Sequence, residues 1–221
     1  PLIVLDDADL DKVATATVAT GFANAGQVCI SCQRVIATEG IHDNLLDELQ
    51  PRVTALTAGD QLAEGTNVGP LVREGDASRV ADWVAEAADN GARLLCGGER
   101  SGSVVQPALL ADVHPDMRMS CDELFGPAVG VTRAANIDEA IALANNTNYG
   151  LSAGIFTENL DAALRFAHEV ESGNLHINWG PMWRADFMPY GGLKDSGIGK
   201  EGPKYAIEEM TETKMVVIHG K

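Results

Sequence analysis

The sequence predicts an α/β fold: an open, largely parallel twisted sheet with helices on both faces, followed by a C-terminal strand. Short β-branched runs alternate with helical patterns along the whole chain. Alternation at this pitch is typical of a parallel sheet built from strand–helix–strand units. The 221 residues, of which 45% are hydrophobic and 22% charged, have the composition of a globular domain with a sizeable core.

The strand candidates are short runs rich in Val, Ile and Leu, the residue types that favour strands. They are residues 2–5, 34–38, 94–96, 104–110, 129–132, 151–156, 175–178 and 214–219.

The helix candidates carry apolar residues three and four positions apart, which places those residues on one helix face. The first follows the possible N-caps Asp6, Asp7 and Asp9 and runs to about residue 24; the others are residues 41–56, 80–88, 137–144, 160–170 and 205–210. Pro51 is expected to kink or split the second helix. Residues 179–200, rich in Gly and Pro, are expected to form a long ordered loop.

Charge and cysteine content exclude several classes of protein. With 16 Lys and Arg against 32 Asp and Glu, the net charge of −16 argues against binding to nucleic acid or an anionic membrane. Residues 13–33 lack formal charges but are too polar to span a membrane. The chain begins at Pro1 without a basic segment, so no signal peptide is predicted. Four Cys are too few for a disulfide scaffold and favour a reduced, cytoplasmic setting.

Cys29 is the strongest candidate for chemistry. It follows Asn24-Ala25-Gly26-Gln27-Val28, a predicted helix end and glycine turn that can present a thiol beside free backbone N–H groups. Dipoles of this kind activate cysteine nucleophiles. The alternative interpretation is a small buried hydrophobic residue. Cys29 and Cys32 also form a Cys-x-x-Cys pair, but no second pair exists and the five His show no metal-ligand spacing, so we predict no metal.

Two further segments stand out in the second half of the chain. Glu123-Leu124-Phe125-Gly126-Pro127 places an acid and an aromatic residue before a turn. Pro189-Tyr190-Gly191-Gly192-Leu193-Lys194-Asp195-Ser196-Gly197 is a tight glycine-dependent loop without phosphate-loop spacing. Each segment alone is weak evidence of function.

Together with the closing Met210-Thr211-Glu212, these segments resemble the aldehyde dehydrogenase superfamily, in the family's order and from Pro1 to about Lys221. The stretch from Arg184 to Gly192 is most similar to the branch that contains lactaldehyde, succinate-semialdehyde, phosphonoacetaldehyde and non-phosphorylating glyceraldehyde-3-phosphate dehydrogenases.

The resemblance implies that the chain belongs to an NAD- or NADP-dependent enzyme that oxidises a small aldehyde. Cys29 corresponds to the nucleophile, which forms a thiohemiacetal and then a thioester, with the alkoxide on its own backbone N–H. Glu123 corresponds to the residue that holds the nicotinamide ribose hydroxyls. Phe125 corresponds to the aromatic residue beside the nicotinamide.

The resemblance also implies a substrate pocket that includes Val28, Ile30, Tyr190 and Arg184. We expect Arg184 to bind an anionic group on the aldehyde, since a guanidinium clamps carboxylate or phosphate. The alternatives are a loop brace paired with Asp186 or a backbone carbonyl, and a neutral substrate such as lactaldehyde. Phosphate-binding relatives carry Arg where Val28 stands, which weakens the case for an anion.

Departures from the family's pattern set the expected domain organisation. The Glu-Leu-Gly-Gly motif with the general base and the upstream dinucleotide-binding domain are missing. We therefore expect a catalytic domain over residues 1–211 and an oligomerisation strand within residues 212–221. NAD or NADP would be bound mainly by the missing domain, and the chain alone is expected to be inactive. The final strand predicts a homo-oligomer, a dimer or tetramer.

Two other functions are compatible with the residues. A cysteine hydrolase or acyl-transferase would need a His base near Cys29, and His176 is the best candidate. A non-enzymatic oligomerisation module would need only structural cysteines.

Overall fold

A computed structural model describes all residues, 1–221. The strands are β1 (Leu2–Val4), β2 (Arg34–Thr38), β3 (Arg93–Cys96), β4 (Arg100–Ser101), β5 (Val104–Val105), β6 (Ala108–Ala111), β7 (Ala128–Ala134), β8 (Tyr149–Gly150), β9 (Ser152–Phe156), β10 (Asn174–Ile177) and β11 (Leu193–Lys194). The helices are α1 (Leu10–Gly21), α2 (Glu39–Thr54), α3 (Glu74–Asp89), α4 (Arg118–Cys121), α5 (Ile137–Asn145), α6 (Leu160–Glu169) and α7 (Pro203–Met210), with a 3₁₀ turn at Ala23–Gly26.

Seven strands form the central sheet, in the order β10-β9-β1-β2-β7-β6-β3. Every neighbouring pair is parallel except β3 with β6, which is antiparallel. Ile3 of β1 lies beside Ile36 of β2 and Ile155 of β9, in the middle of the sheet. The prediction of a largely parallel sheet is confirmed.

Helices cover both faces of the sheet, as predicted. Alternate residues of β1 point to opposite faces, because side chains alternate along a strand. Leu2 and Val4 pack in a cluster with α1 and α2, whereas Ile3 packs with α5 and α6. A third cluster joins α3 and α4 to β6 and the start of β7. The core is thus built in two layers around the sheet.

Among the element boundaries that differ from the prediction, two are explained by the local backbone. The run 104–110 divides into β5 and β6, and Pro107, which has no N–H to donate, lies between them. The first helix ends at Gly21 instead of residue 24, because Asn24 and Ala25 take left-handed φ angles of 50° and 56°. Pro51 lies inside α2, whose last residue follows three positions later.

The C-terminal strand predicted for residues 214–219 is not formed in the single chain. Residues 211–221 contain no helix or strand, and all are exposed. A β-strand needs a neighbour to supply hydrogen bonds, and no segment of this chain lies alongside to do so. The structure contains no helix long and apolar enough to cross a membrane.

Candidate active site

Two glycines bring the Cys29 segment against the Glu123 segment. Gly26 has a φ of +70°, and a Cβ at this position would lie 2.1 Å from the carbonyl oxygen of Gly126. Only glycine permits both this left-handed conformation and this close approach. The turn before Cys29 and the turn after Glu123, about a hundred residues apart in sequence, therefore pack backbone to backbone.

The loop that carries Cys29 is tied to the end of α1. The Ser31 hydroxyl donates to the carbonyl oxygens of Thr20 and Gly21, both at 3.2 Å, and the Cys32 N–H donates to that of Thr20 at 3.0 Å. These bonds turn the two cysteines of the Cys-x-x-Cys pair toward different surroundings. Cys29 is exposed, whereas Cys32 is completely buried in the core. Burial raises the pKa of Cys32 to about 11.

Tyr190 contacts the Cys29 sulfur through its side chain. Its hydroxyl lies 3.2 Å from Sγ, although the two residues are 161 positions apart. The Tyr190 side chain is only 7% exposed. Burial, and after it the hydrogen bond to Cys29, raise the pKa of the Tyr190 hydroxyl well above its ordinary value. The structure thus brings together two of the predicted site residues.

Arg184 lies over the Tyr190 ring. Its guanidinium carbon is 4.4 Å from the ring centroid, and Nη2 is 3.0 Å from the Glu201 carboxylate. The ion-pair partner of Arg184 is therefore Glu201, and not Asp186, which the alternative interpretation had named. Glu201 also exchanges two backbone hydrogen bonds with Tyr190, at 2.6 and 3.2 Å. Arg184 braces the ring that touches Cys29.

Glu123 and Cys29 line the same cleft, which has a volume of about 260 Å³. Its other lining residues are Pro1, Ile30, Ser31, Gln33, Arg34, Ser120, Cys121, Asp122, Thr147, Tyr149, Gly150, Leu151, Ser152, Ser172, Asp195 and Ser196. Phe125 is not among them; it is 38% exposed, with a φ of +51°. Of the four residues predicted for the substrate pocket, only Ile30 lines this cleft; Val28, Arg184 and Tyr190 do not.

Comparison with known protein families assigns this chain to a family. The model of the aldehyde dehydrogenase family matches residues 1–216. The chain belongs to the aldehyde dehydrogenase family.

Individual relatives of this aldehyde dehydrogenase chain agree. A 3-sulfolactaldehyde dehydrogenase from Priestia aryabhattai is 45% identical over 217 residues, 98% of this chain and 46% of that protein. A lactaldehyde dehydrogenase from Methanococcus vannielii is 43% identical over 219 residues, 99% of this chain and 47% of that protein. Aldehyde dehydrogenase 21 from Physcomitrella patens, solved with the reaction product succinate, has a TM-score of 0.93 and 38% identity over 98% of this chain and 46% of that one. The chain spans about half the length of these relatives.

The His base that a cysteine hydrolase would need does not contact the nucleophile candidate of this aldehyde dehydrogenase chain. His176 packs edge-on against Trp183, with ring centroids 6.3 Å apart, and its Nε2 has no hydrogen-bond partner. Burial lowers the pKa of His176. The side-chain partner of Cys29 is Tyr190 instead. No group of three or more His, Cys, Asp or Glu is arranged to hold a metal ion.

Gln33 and Arg79 hold the Glu123 segment in place, and neither residue was predicted as part of the site. The Gln33 amide donates to the carbonyl oxygens of Met119 and Asp122, at 2.7 and 2.8 Å, and accepts from the Leu124 N–H at 2.9 Å. Arg79 donates to the Leu124 carbonyl at 2.7 Å. A polar residue one position before a predicted strand was the only available signal for Gln33.

Proposed function

We propose that these residues form the catalytic part of an NAD(P)-dependent aldehyde dehydrogenase that oxidises a small aldehyde to its carboxylate. The observation that carries the proposal is the placement of Cys29, exposed in the cleft that Glu123 lines and hydrogen-bonded through its sulfur to Tyr190. Family membership supports the reaction class. The free state of all four cysteines is consistent with a cytoplasmic enzyme.

Cys29 supplies the nucleophile. Its thiolate attacks the aldehyde carbon, a C–S bond forms, and the carbonyl electrons move to oxygen to give a thiohemiacetal alkoxide. The backbone N–H of Cys29 donates no hydrogen bond within the chain and is therefore free to stabilise this oxygen. Departure of hydride with its electron pair leaves a thioester on Cys29. Attack by water breaks the C–S bond and returns the thiolate, the carboxylate product and two protons.

The residues beside Cys29 fit a nicotinamide nucleotide. Glu123 is exposed in the cleft, and its carboxylate can accept hydrogen bonds from ribose hydroxyls. Phe125, two residues further along the chain, has a positive φ and is 38% exposed, so it can contact a bound nicotinamide. When bound, the nicotinamide supplies the acceptor for the hydride. The Gln33 and Arg79 bonds keep the Glu123 segment rigid for this purpose.

The chain alone should lack activity. None of the 18 residues that line the cleft is a Glu other than Glu123, and the resemblance assigns Glu123 to the cofactor. The general base, the second oxyanion donor and most of the cofactor site would come from a dinucleotide-binding domain outside these residues. We expect no reduction of NAD(P)⁺ by residues 1–221 with any aldehyde, and recovery of turnover once that domain is supplied.

Replacing Cys29 in the dehydrogenase that contains these residues tests the main proposal. Cys29→Ser should lower kcat by at least about 1000-fold, because removal of a nucleophile abolishes the covalent route. Cys121→Ser is the matched control, since Cys121 is also exposed and lines the same cleft. It should retain near-normal turnover. Equal activity of the two variants would contradict the assignment.

Arg184 would favour an aldehyde that carries an anionic group. Its guanidinium carbon lies 4.4 Å from the centroid of the Tyr190 ring, whose hydroxyl contacts the Cys29 sulfur, and its present partner, Glu201, is exposed. Two of the relatives are named for or hold an anion, namely 3-sulfolactaldehyde and succinate. An incoming carboxylate or sulfonate would take the place of the Glu201 carboxylate on Arg184.

Substrate comparison tests this assignment in the complete dehydrogenase. Arg184→Ala should raise the activation free energy for kcat/KM by about 1.5–3 kcal/mol more for succinate semialdehyde than for lactaldehyde, which loses only the support of the Tyr190 ring. An equal loss on both substrates would show that Arg184 acts only as the brace of Tyr190.

Residues 214–219 would pair with another copy to give a homo-oligomer. Met215, Val216, Val217 and Ile218 are 64–89% exposed, and an apolar segment with unpaired backbone groups favours strand addition. Val217→Lys should shift sedimentation toward the monomer, whereas Thr213→Lys, outside the apolar run, should not. A concentration-independent monomer for the unmodified chain would refute this interface.

A further inference from the structure

We propose that Tyr190 is a catalytic residue whose hydroxyl donates a hydrogen bond to the Cys29 sulfur while that sulfur is a thiolate. The inference rests on the proposed function, in which Cys29 is the nucleophile. It adds a role to Tyr190 beyond that of an aromatic wall of the pocket. The contact that carries it is the 3.2 Å distance between the Tyr190 hydroxyl and Cys29 Sγ.

The direction of this hydrogen bond follows from the two protonation states. A thiolate has no proton, so only the phenol can donate once Cys29 ionises. A phenol ordinarily loses its proton near pH 10 and a thiol near pH 8.5. Burial raises the pKa of Tyr190 further above this ordinary value, which keeps the phenol protonated throughout the range in which a thiol ionises. Tyr190 is therefore the donor in the reactive state.

The surrounding residues fix the direction in which the hydroxyl points. Tyr190 and Glu201 exchange backbone hydrogen bonds in both directions, which anchors the main chain beneath the ring. Arg184 lies 4.4 Å from the ring centroid and is itself held at 3.0 Å by the Glu201 carboxylate. Cation–π contact and a paired guanidinium restrict rotation of the ring. The hydroxyl is thereby prepositioned against Cys29 before any substrate arrives.

This hydrogen bond would act at two steps. In the resting enzyme it increases the fraction of Cys29 that is ionised, and it makes each thiolate somewhat less nucleophilic, since nucleophilicity falls with basicity. When the C–S bond of the thioester breaks, the same hydroxyl stabilises the departing thiolate. No proton leaves Tyr190 in either step, so the phenol is unchanged at the end of the cycle.

Tyr190→Phe tests the proposal on the 221-residue chain, because it removes the hydroxyl and keeps the ring under Arg184. Losing one hydrogen bond to an ionised group lowers the thiolate fraction about 10-fold, which greater nucleophilicity partly offsets. Alkylation of Cys29 by limiting iodoacetamide, followed by peptide mapping, should be about 3-fold slower at neutral pH. On the alkaline plateau of each rate profile, where the rate no longer rises with pH, it should become about 3-fold faster.

Tyr149→Phe is the matched control, because Tyr149 lines the same cleft without contacting Cys29. It should leave both alkylation rates unchanged. The reversal with pH separates a hydrogen bond from a packing defect, which would change accessibility in one direction at every pH. Identical profiles for Tyr190→Phe and the unmodified chain would overturn the role of Tyr190. If Cys29 in the unmodified chain reacted no faster than Cys121, the proposed function itself would fail.

Discussion

The cleft side and the core side of the Cys29 loop each carry a cysteine, and these two cysteines, three positions apart, differ in exposure and in contacts. On the cleft side, Cys29 is exposed and its sulfur contacts a hydroxyl. On the core side, Cys32 is fully buried, and burial raises its pKa to about 11. The path of the turn thus exposes one cysteine and buries the other, and we expect only the exposed one to be reactive. The predictions below perturb one side or the other, from the largest expected effect to the smallest.

The glycine contact behind the loop should be the most sensitive position. Gly26→Ala would force a Cβ to within 2.1 Å of the Gly126 carbonyl and into a left-handed φ, and we expect a loss of about 3–5 kcal/mol in the free energy of unfolding. Gly91→Ala is the control, since Gly91 also has positive φ but no atom within 4 Å of its Cβ position. It should cost about 1 kcal/mol. If denaturant melts showed equal losses in the free energy of unfolding for the two variants, the close contact with Gly126 would not be the cause of the destabilisation.

Exchanging sulfur for oxygen on the two sides should separate stability from reactivity. Cys32→Ser buries a hydroxyl in the apolar cluster and should lower the free energy of unfolding by about 1–3 kcal/mol. Cys29→Ser, at an exposed position, should change it by less than about 0.5 kcal/mol. The comparison needs only thermal or urea melts of the two variants. A larger destabilisation by Cys29→Ser would mean that Cys29 serves the core.

Gln33→Ala should loosen the cofactor side of the cleft. It leaves two carbonyls and the Leu124 N–H without their partner. In the complete dehydrogenase we expect KM for NAD(P)⁺ to rise about 5- to 10-fold with a smaller change in kcat. Hydrogen exchange at Leu124 should accelerate in the 221-residue chain. Gln50→Ala, which removes one exposed contact to the Leu95 carbonyl, is the control and should change neither KM nor hydrogen exchange. If the Leu124 N–H stayed protected from exchange in Gln33→Ala, Gln33 would not be what holds the Glu123 segment.

Acid should weaken the cluster of charged residues at the carboxyl ends of β6 and β7. His42 and Arg133 lower the pKa of Asp43, and hydrogen bonds from Arg93 and Arg133 outweigh burial and lower the pKa of Asp112. Carboxylates with depressed pKa values stabilise the fold above about pH 4, their unfolded value, and this contribution disappears as the pH falls through the folded value. Urea midpoints between pH 6 and pH 3 should fall less steeply in Arg133→Met. Parallel curves would contradict this.

Local patterns were sufficient to predict the layers of the fold but not its contacts. Period-two and helical spacings identified most strands and helices, because burial on one face leaves that signature. The predicted end of a helix was wrong where the backbone conformation determined it, as at Asn24 and Ala25. The strand at residues 214–219 failed because pairing needs a partner that local sequence does not specify.

Most of the candidate site residues were predicted from the family resemblance. Cys29 stood out by its turn as well, yet its contact with Tyr190 spans 161 positions and depends on the path of the 179–200 loop. The pairing of Arg184 with Glu201 depends on the same path. Gln33 acts through backbone groups of a distant segment, and a single sequence carries no signal for such a bond.

Thiol mapping of the folded chain tests the central claim most directly, that the cleft makes Cys29 the reactive cysteine. Limiting iodoacetamide near neutral pH, followed by peptide mapping, should label Cys29 first, Cys121 and Cys96 more slowly, and Cys32 only after unfolding. In denaturant the four rates should converge, which controls for differences in peptide recovery. Preferential labelling of Cys121, Cys96 or Cys32 in the folded protein would contradict the account.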